Sequence, residues 1–301
     1  MMNRQQTASD MIGEGNLRPQ TLLENYLSVA LNLRKCSVMT VPAEFPDAEA
    51  VAMAIDLACI SDYQELAAEK DIKKKTKLIQ KFKQRLREAY QEEVRKSSSY
   101  TSHIKWTNRL DLRVFEVEVR PTVRELFIYT AKDVENKLDE LSASRTLIRE
   151  QFLRSLRKPM PRSAVVYPEE YFPDYVFRVA ELLGYPKCCI EAYIEGRREG
   201  YVLAEDRASR QIRTGRAQGL APEPYAYFVK DFIPCVPSCA NAAAVGHRFF
   251  EEFGQFDKGL QESYSQCLKT NVANVESYIE RIAAHKEKMK AQAQELGIMT
   301  M

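Results

Sequence analysis

From Leu22 to Leu33 apolar residues return every three or four positions (Leu22, Leu23, Tyr26, Val29, Ala30, Leu33), the period of an amphipathic helix. The same spacing recurs from Asp47 to Ala68, through Val51, Ile55, Leu57, Ala58 and Leu66, and predicts a second helix. Cys36 and Cys59 fall in these stretches and read as small buried core residues. Between Glu69 and Lys96 a thin apolar stripe (Ile72, Leu78, Ile79, Phe82, Leu86, Tyr90) runs through lysine, arginine and glutamate, which predicts a charged helix with a solvated face. The polar stretch SSSYTS, residues 97–102, reads as a linker that also carries His103, for which the sequence identifies no partner.

The period then changes. Between Leu110 and Ala131, VFEVEV and VRELFIYTA flank Pro121 and are rich in valine, phenylalanine, isoleucine and tyrosine, so one or two strands, as a hairpin, are expected. Helical spacing returns from Asp133 to Leu156, and SAVVY (163–167) suits one more short strand. After Asp174 everything reads helical apart from proline turns, ending in a long charged helix from about Asn271 to Leu296. Strands that cluster in the middle and do not alternate with helices place the chain in the α+β class, predominantly helical with a small central β-sheet or hairpin. With the linker as boundary, residues 1–100 form a helical N-terminal region. Residues 101–301 then form an α+β domain that carries the cysteine clusters and the long C-terminal helix.

Charge and composition narrow the classes. A chain of 301 residues with formal net charge +2 has no global drive toward nucleic acid or anionic membranes, so any basic surface must be local. No stretch approaches the roughly 18 apolar residues of a membrane span, and the polar N-terminus lacks a signal core, so a cytoplasmic protein is expected. In that compartment paired cysteines point to metal or catalytic chemistry sooner than to disulfides.

Four of the seven cysteines occupy two short clusters, GYPKCCIEAY (Cys188, Cys189) and FIPCVPSCANAAAVGH (Cys235, Cys239). In the first, Gly184 and Pro186 should stop one helix at Leu183 and start another near Lys187, which puts Cys188 and Cys189 at a helix N-terminus. In the second, Pro234 and Pro237 force a turn before the alanine-rich run Ala240–Val245, so Cys239 is expected in a first helical turn with Cys235 just outside it. Unpaired N–H groups and the partial positive charge at such ends favour thiolates, which bind metals or attack electrophiles.

The spacing C-C-x45-C-x3-C matches neither the common zinc fingers nor ferredoxin runs. Consecutive helical side chains point about 100° apart, so adjacent cysteines suit an iron–sulfur cluster, with its several metal atoms, better than one zinc ion. His247 lies eight residues past Cys239, about 12 Å along a helix, and is assigned a supporting, substrate-facing or surface role. Arg207, Arg210, Arg213 and Arg216 recur at three-residue intervals between the clusters. They form a solvated helix face or a ridge whose guanidinium forks hold an anionic substrate or an RNA backbone.

GYPKCC followed by FIPCVPSCANA and a Gly246-His247 helix resembles an uncharacterised prokaryotic family, the domain of unknown function 483, over roughly residues 165–255. The resemblance implies that Cys188, Cys189, Cys235 and Cys239 belong together, and it implies no activity. Two readings stay open. One is a metalloprotein, enzyme or not, whose four cysteines hold an iron–sulfur cluster or zinc while Arg207, Arg210, Arg213 and His247 face an anionic small molecule. The other is a non-catalytic module, stapled by zinc, that binds RNA or a protein partner.

Overall fold

The extended pattern of residues 110–131 forms a hairpin in the computed structural model, which describes residues 4–155, 167–198 and 203–295. Its strands β2 (Arg113–Arg120) and β3 (Val123–Tyr129) are joined by a third, β1 (Cys36–Val41), in a sheet of order β1-β3-β2 with both pairings antiparallel. Tyr129 stands opposite Cys36 on one side and Arg113 on the other. The sequence pattern missed β1 because the strand is short and its buried positions, Ser37, Met39 and Val41 among them, include a polar residue. Its strand character comes from a partner almost ninety positions away. Cys36 is fully buried in it, and burial pushes its thiol up to about 12, as befits an inert core residue.

Around the sheet, the Met1–Ser142 unit is helical. After α1 (Arg4–Ile12), the segment expected to be amphipathic is a π-helical stretch, Thr21–Leu27, running into a short α2 (Ser28–Ala30). Residues 21–29 are all buried, so this segment has no solvent face. Arg34 meets part of its polar groups, donating to the Glu24 carbonyl at 2.6 Å and to Asn25 Oδ1 at 3.0 Å. The helix expected over 47–68 breaks at the buried Cys59 into α3 (Ala48–Ala58) and α4 (Ile60–Ala68). The charged helix is present as α5 (Ile72–Lys96), capped by Asp71, whose carboxylate accepts from the Lys74 N–H at 2.9 Å.

Residues 97–102 correct the linker expectation. Ser97 caps a helix by accepting from the Tyr100 N–H at 3.1 Å, and α6 (Ser98–Arg109) follows directly. Serine competes poorly inside helices but is a preferred first residue, and that second meaning applies here. The chain divides into two compact units, Met1–Ser142 and Ala143–Met301, with the division inside the helix α7 (Lys132–Ser155). His103, far from being partnerless, is 2% exposed, with its Nδ1 2.6 Å from the Tyr26 hydroxyl.

Burial drives the His103 pKa from 6.5 down to about 4, so the folded protein keeps the ring neutral while an unfolded chain protonates it near 6.5. Stability from this group is complete above pH 6.5 and declines as pH falls toward 4, by about 3 kcal/mol in all. Urea unfolding across that window should register the decline. A His103→Gln variant should show a flatter profile, and an identical slope in both proteins would refute the assignment.

The Ala143–Met301 unit holds α8 (Pro173–Leu182), α9 (Lys187–Arg198), α10 (Ala204–Ala217), α11 (Ala240–Phe256), α12 (Lys258–Glu276) and α13 (Tyr278–Glu295). The long C-terminal helix is thus two helices, interrupted at Ser277. The expected SAVVY strand lies outside the described residues but for Tyr167. The core is aromatic: Phe228, Phe249, Phe253 and Tyr264 are fully buried and meet edge to face, with Phe253 and Tyr264 centroids 4.9 Å apart. Gly246 is required by close approach, since a Cβ there would come within 2.1 Å of the Tyr225 carbonyl oxygen. That contact seats the turn Pro224–Tyr227 on α11 and fixes the start of the segment that leads to Cys235. The fold is α+β and predominantly helical, and no helix among the described residues is long and apolar enough to cross a membrane.

Candidate metal centre

The first cysteine pair is placed as its local sequence demands. Gly184 adopts φ +79°, a conformation side chains disfavour, and closes α8 with hydrogen bonds from its own N–H to the Glu181 carbonyl and from Tyr185 N–H to Ala180, both 3.0 Å. Pro186 then opens α9, its carbonyl accepting from the N–H groups of Cys189 at 2.9 Å and Ile190 at 3.1 Å. Cys188 and Cys189 stand in that first turn.

The second pair differs by one position from its expectation. Cys239 is extended (φ −60°, ψ 111°) and precedes α11 as its cap, its N–H bonded to the Val236 carbonyl at 3.1 Å and its carbonyl accepting from Ala243 at 2.9 Å. The turn through Pro237 is held by the Glu223 N–H, which donates to the Pro237 carbonyl at 2.9 Å. Gln211 of α10 donates to the Cys235 carbonyl at 3.5 Å, so a third helix braces the segment.

All four Sγ atoms converge within 4.8 Å of one another, an arrangement able to hold a metal ion. The sulfurs of Cys188 and Cys189, and those of Cys188 and Cys239, are 3.8 Å apart; Cys189 and Cys239 are separated by 3.6 Å. The expectation that the four cysteines belong together holds for their sulfur positions, and the angle between neighbours does not keep Cys188 and Cys189 apart. A 100° offset applies to the Cβ positions, and each sulfur lies one rotatable bond beyond, free to turn toward a common point. Cys189 and Cys239 are buried, while Cys188 and Cys235 are partly open.

Two N–H groups already point at sulfur: Asn241 Nδ2 at 3.4 Å from Cys188 and the Cys235 amide at 3.4 Å from Cys189. The Asn241 bond, opposed by burial, brings the Cys188 thiol below its ordinary range. Burial pushes Cys189 up strongly and Cys235 up to about 11. Four negative sulfurs at these separations repel one another, so the set is stable as thiolates only around a cation. Donor type, number and spacing all fit a metal. Sequence reasoning missed Asn241 and Gln211; the first stood in plain view two residues past Cys239, whereas the second is identified only by where α10 packs.

The structure does not bring the other sequence candidates to the sulfurs. His247 is exposed on α11 and stacks on Tyr225 with centroids 3.8 Å apart. Arg210 pairs with Asp206 at 3.1 Å, Arg213 with Glu280, and Arg216 with Glu276 at 2.9 Å, all at the surface. Arg207 alone of the four turns inward, donating through Nη1 to the Ala192 carbonyl at 2.9 Å. Cys59 and Cys267 are buried and, like Cys36, lie outside the group of four.

In comparisons with known proteins, residues 112–268, just over half of the chain, match the family model described as a protein of unknown function (DUF483). No curated protein and no solved structure matches.

Proposed function

The chain belongs to the DUF483 family, and from that premise we propose that it is a metalloprotein in which Cys188, Cys189, Cys235 and Cys239 hold a single zinc ion. The observation that carries this reading is the sulfur spacing. A tetrahedral ion with metal–sulfur bonds of about 2.3 Å requires ligand sulfurs about 3.8 Å apart. The separations of 3.6, 3.8 and 3.8 Å among Cys188, Cys189 and Cys239 match that edge, and Cys235 lies within 4.8 Å of all three. In an iron–sulfur cluster, sulfurs bound to different irons stand farther apart than one ion's edge, so the spacing favours zinc.

Four thiolates leave a tetrahedral ion no open position, which is the character of a structural site and not of a catalytic one. The ion then staples the start of α9 to the start of α11, across a sequence separation whose closure would otherwise cost entropy. We therefore read the centre as the fastening of a non-catalytic module. The carboxylate partners of Arg210, Arg213 and Arg216 support this over an enzyme that draws an anion to the metal with those three side chains.

Elemental analysis of the purified protein should give one zinc per chain and no visible absorption, and cobalt(II) exchanged into the site should give thiolate charge-transfer bands. Serine in place of Cys36, Cys59 or Cys267 should leave the metal content unchanged. A brown protein that contains iron and acid-labile sulfide would overturn the zinc reading and restore the cluster.

A further inference from the structure

Arg207 occupies a position unlike that of the other arginines on its helix. Its Nη1 is fixed on the Ala192 carbonyl at 2.9 Å, and the approach depends on Gly196, where a Cβ would come within 3.1 Å of that nitrogen. Glycine inside a helix costs about 1 kcal/mol against alanine, so room for the guanidinium has been made at some expense to α9. The opposite edge of the group, Nε and Nη2, is buried and meets no acceptor. No carboxylate pairs with Arg207 among the described residues, whereas Arg210, Arg213 and Arg216 each have one.

Arg207 also lines a small recess with Tyr193, Gly196, Arg197 and Ala204. Ala204 is the first residue of α10, so the positive end of that helix, which has no side-chain cap, lies at the recess. Arg197 forms the other cationic wall, held in place by Glu170 and by the Tyr193 hydroxyl at 2.7 Å. A guanidinium cannot shed its proton, so two buried N–H groups without an acceptor leave a permanent charge uncompensated. Nε and Nη2 are also the pair whose parallel N–H bonds match the two oxygens of a carboxylate or phosphoryl group.

We propose that this recess is a binding site for a small oxyanion, engaged side-on by Nε and Nη2 of Arg207. The recess has room for only about one water-sized group, so it takes the oxygen edge of a small anion or of a larger molecule's terminal anionic group. The site is separate from the thiolate centre: no cysteine lines it, and its residues come from the C-terminal half of α9 and the first turn of α10.

Acetate and inorganic phosphate serve as probes, titrated at constant ionic strength into protein labelled with ¹⁵N-arginine. The Arg207 Nε–H resonance, identified by its loss in the Arg207→Lys variant, should move saturably with at least one probe, and the stronger probe tells carboxylate from phosphoryl. Arg207→Lys keeps the charge but loses the fork, and should weaken binding, followed by thermal stabilisation, about tenfold or more. Arg210→Ala should bind as the parent does. Equal zinc content in all three proteins separates this result from any failure of the metal reading. No saturable movement with either probe, or equal affinity in the parent and Arg207→Lys, would overturn the proposal.

Discussion

Serine at position 239, or stripping of the metal by a strong chelator, is expected to abolish cooperative folding of the cysteine-bearing unit. Zinc bound by thiolates in small peptides contributes an apparent free energy of about 10–16 kcal/mol at neutral pH. That range matches or exceeds the roughly 5–15 kcal/mol that separates a typical folded domain from its unfolded chain. Cys239 is the most telling position to change, because it is only 5% exposed and its sulfur lies within 3.8 Å of both Cys188 and Cys189. A hydroxyl there loses the softer ligand and leaves the remaining thiols crowded together. Circular dichroism with metal analysis on the same sample reads both consequences. Full metal loading and an unchanged midpoint in Cys239→Ser would show that this sulfur is no ligand.

The second large effect should follow from removing Glu169. This carboxylate is 2% exposed and accepts from Arg145 Nε at 2.5 Å and from Arg149 Nη2 at 2.8 Å, tying α7 to the turn Pro168–Tyr171. Arg145 is itself only 5% exposed, so Glu169→Ala would strand positive charge in the interior. Breaking a buried pair from one side costs about 3–5 kcal/mol. The pH dependence provides a second check. Burial pushes the Glu169 carboxyl up, but the hydrogen bond from Arg149 and the charge of Arg145 outweigh it, and the group ends below its ordinary 4.5. Its contribution is therefore complete above pH 4.5 and is lost as pH falls below that toward the folded-state value. In urea unfolding, the gap between Glu169→Ala and the parent should be widest near neutrality and should narrow in acid. A gap of equal size at both ends would assign the loss to packing.

The two cysteine loops were legible from sequence because their determinants are local. Gly184 and Pro186 stop one helix and start the next within three positions, and Pro234 and Pro237 do the same before the alanine run. The β2–β3 hairpin was legible for a similar reason, since alternating side chains and a turn at Pro121 describe a pairing of immediate neighbours. Even here a one-residue ambiguity remained at Cys239, because whether it caps α11 or enters it depends on how the Pro237 carbonyl is held by Glu223.

Other features depended on residues far along the chain. CSVMTV becomes a strand because β3 offers it an edge, and His103 is neutral and buried because Tyr26 meets it from a segment 77 positions earlier. The serine-rich stretch at 97–102 is equally compatible with a linker and with a helix start, and packing selected the helix. At the metal centre, sequence determined that four thiols sit at two helix starts. Only the tertiary structure brought their sulfurs within 4.8 Å of one another, because those distances depend on two helix placements and four rotamers. The arginines make the same division: their three-residue spacing is written in the chain, but which are neutralised by carboxylates and which one faces a recess depends on Glu276, Glu280 and Gly196 being folded beside them.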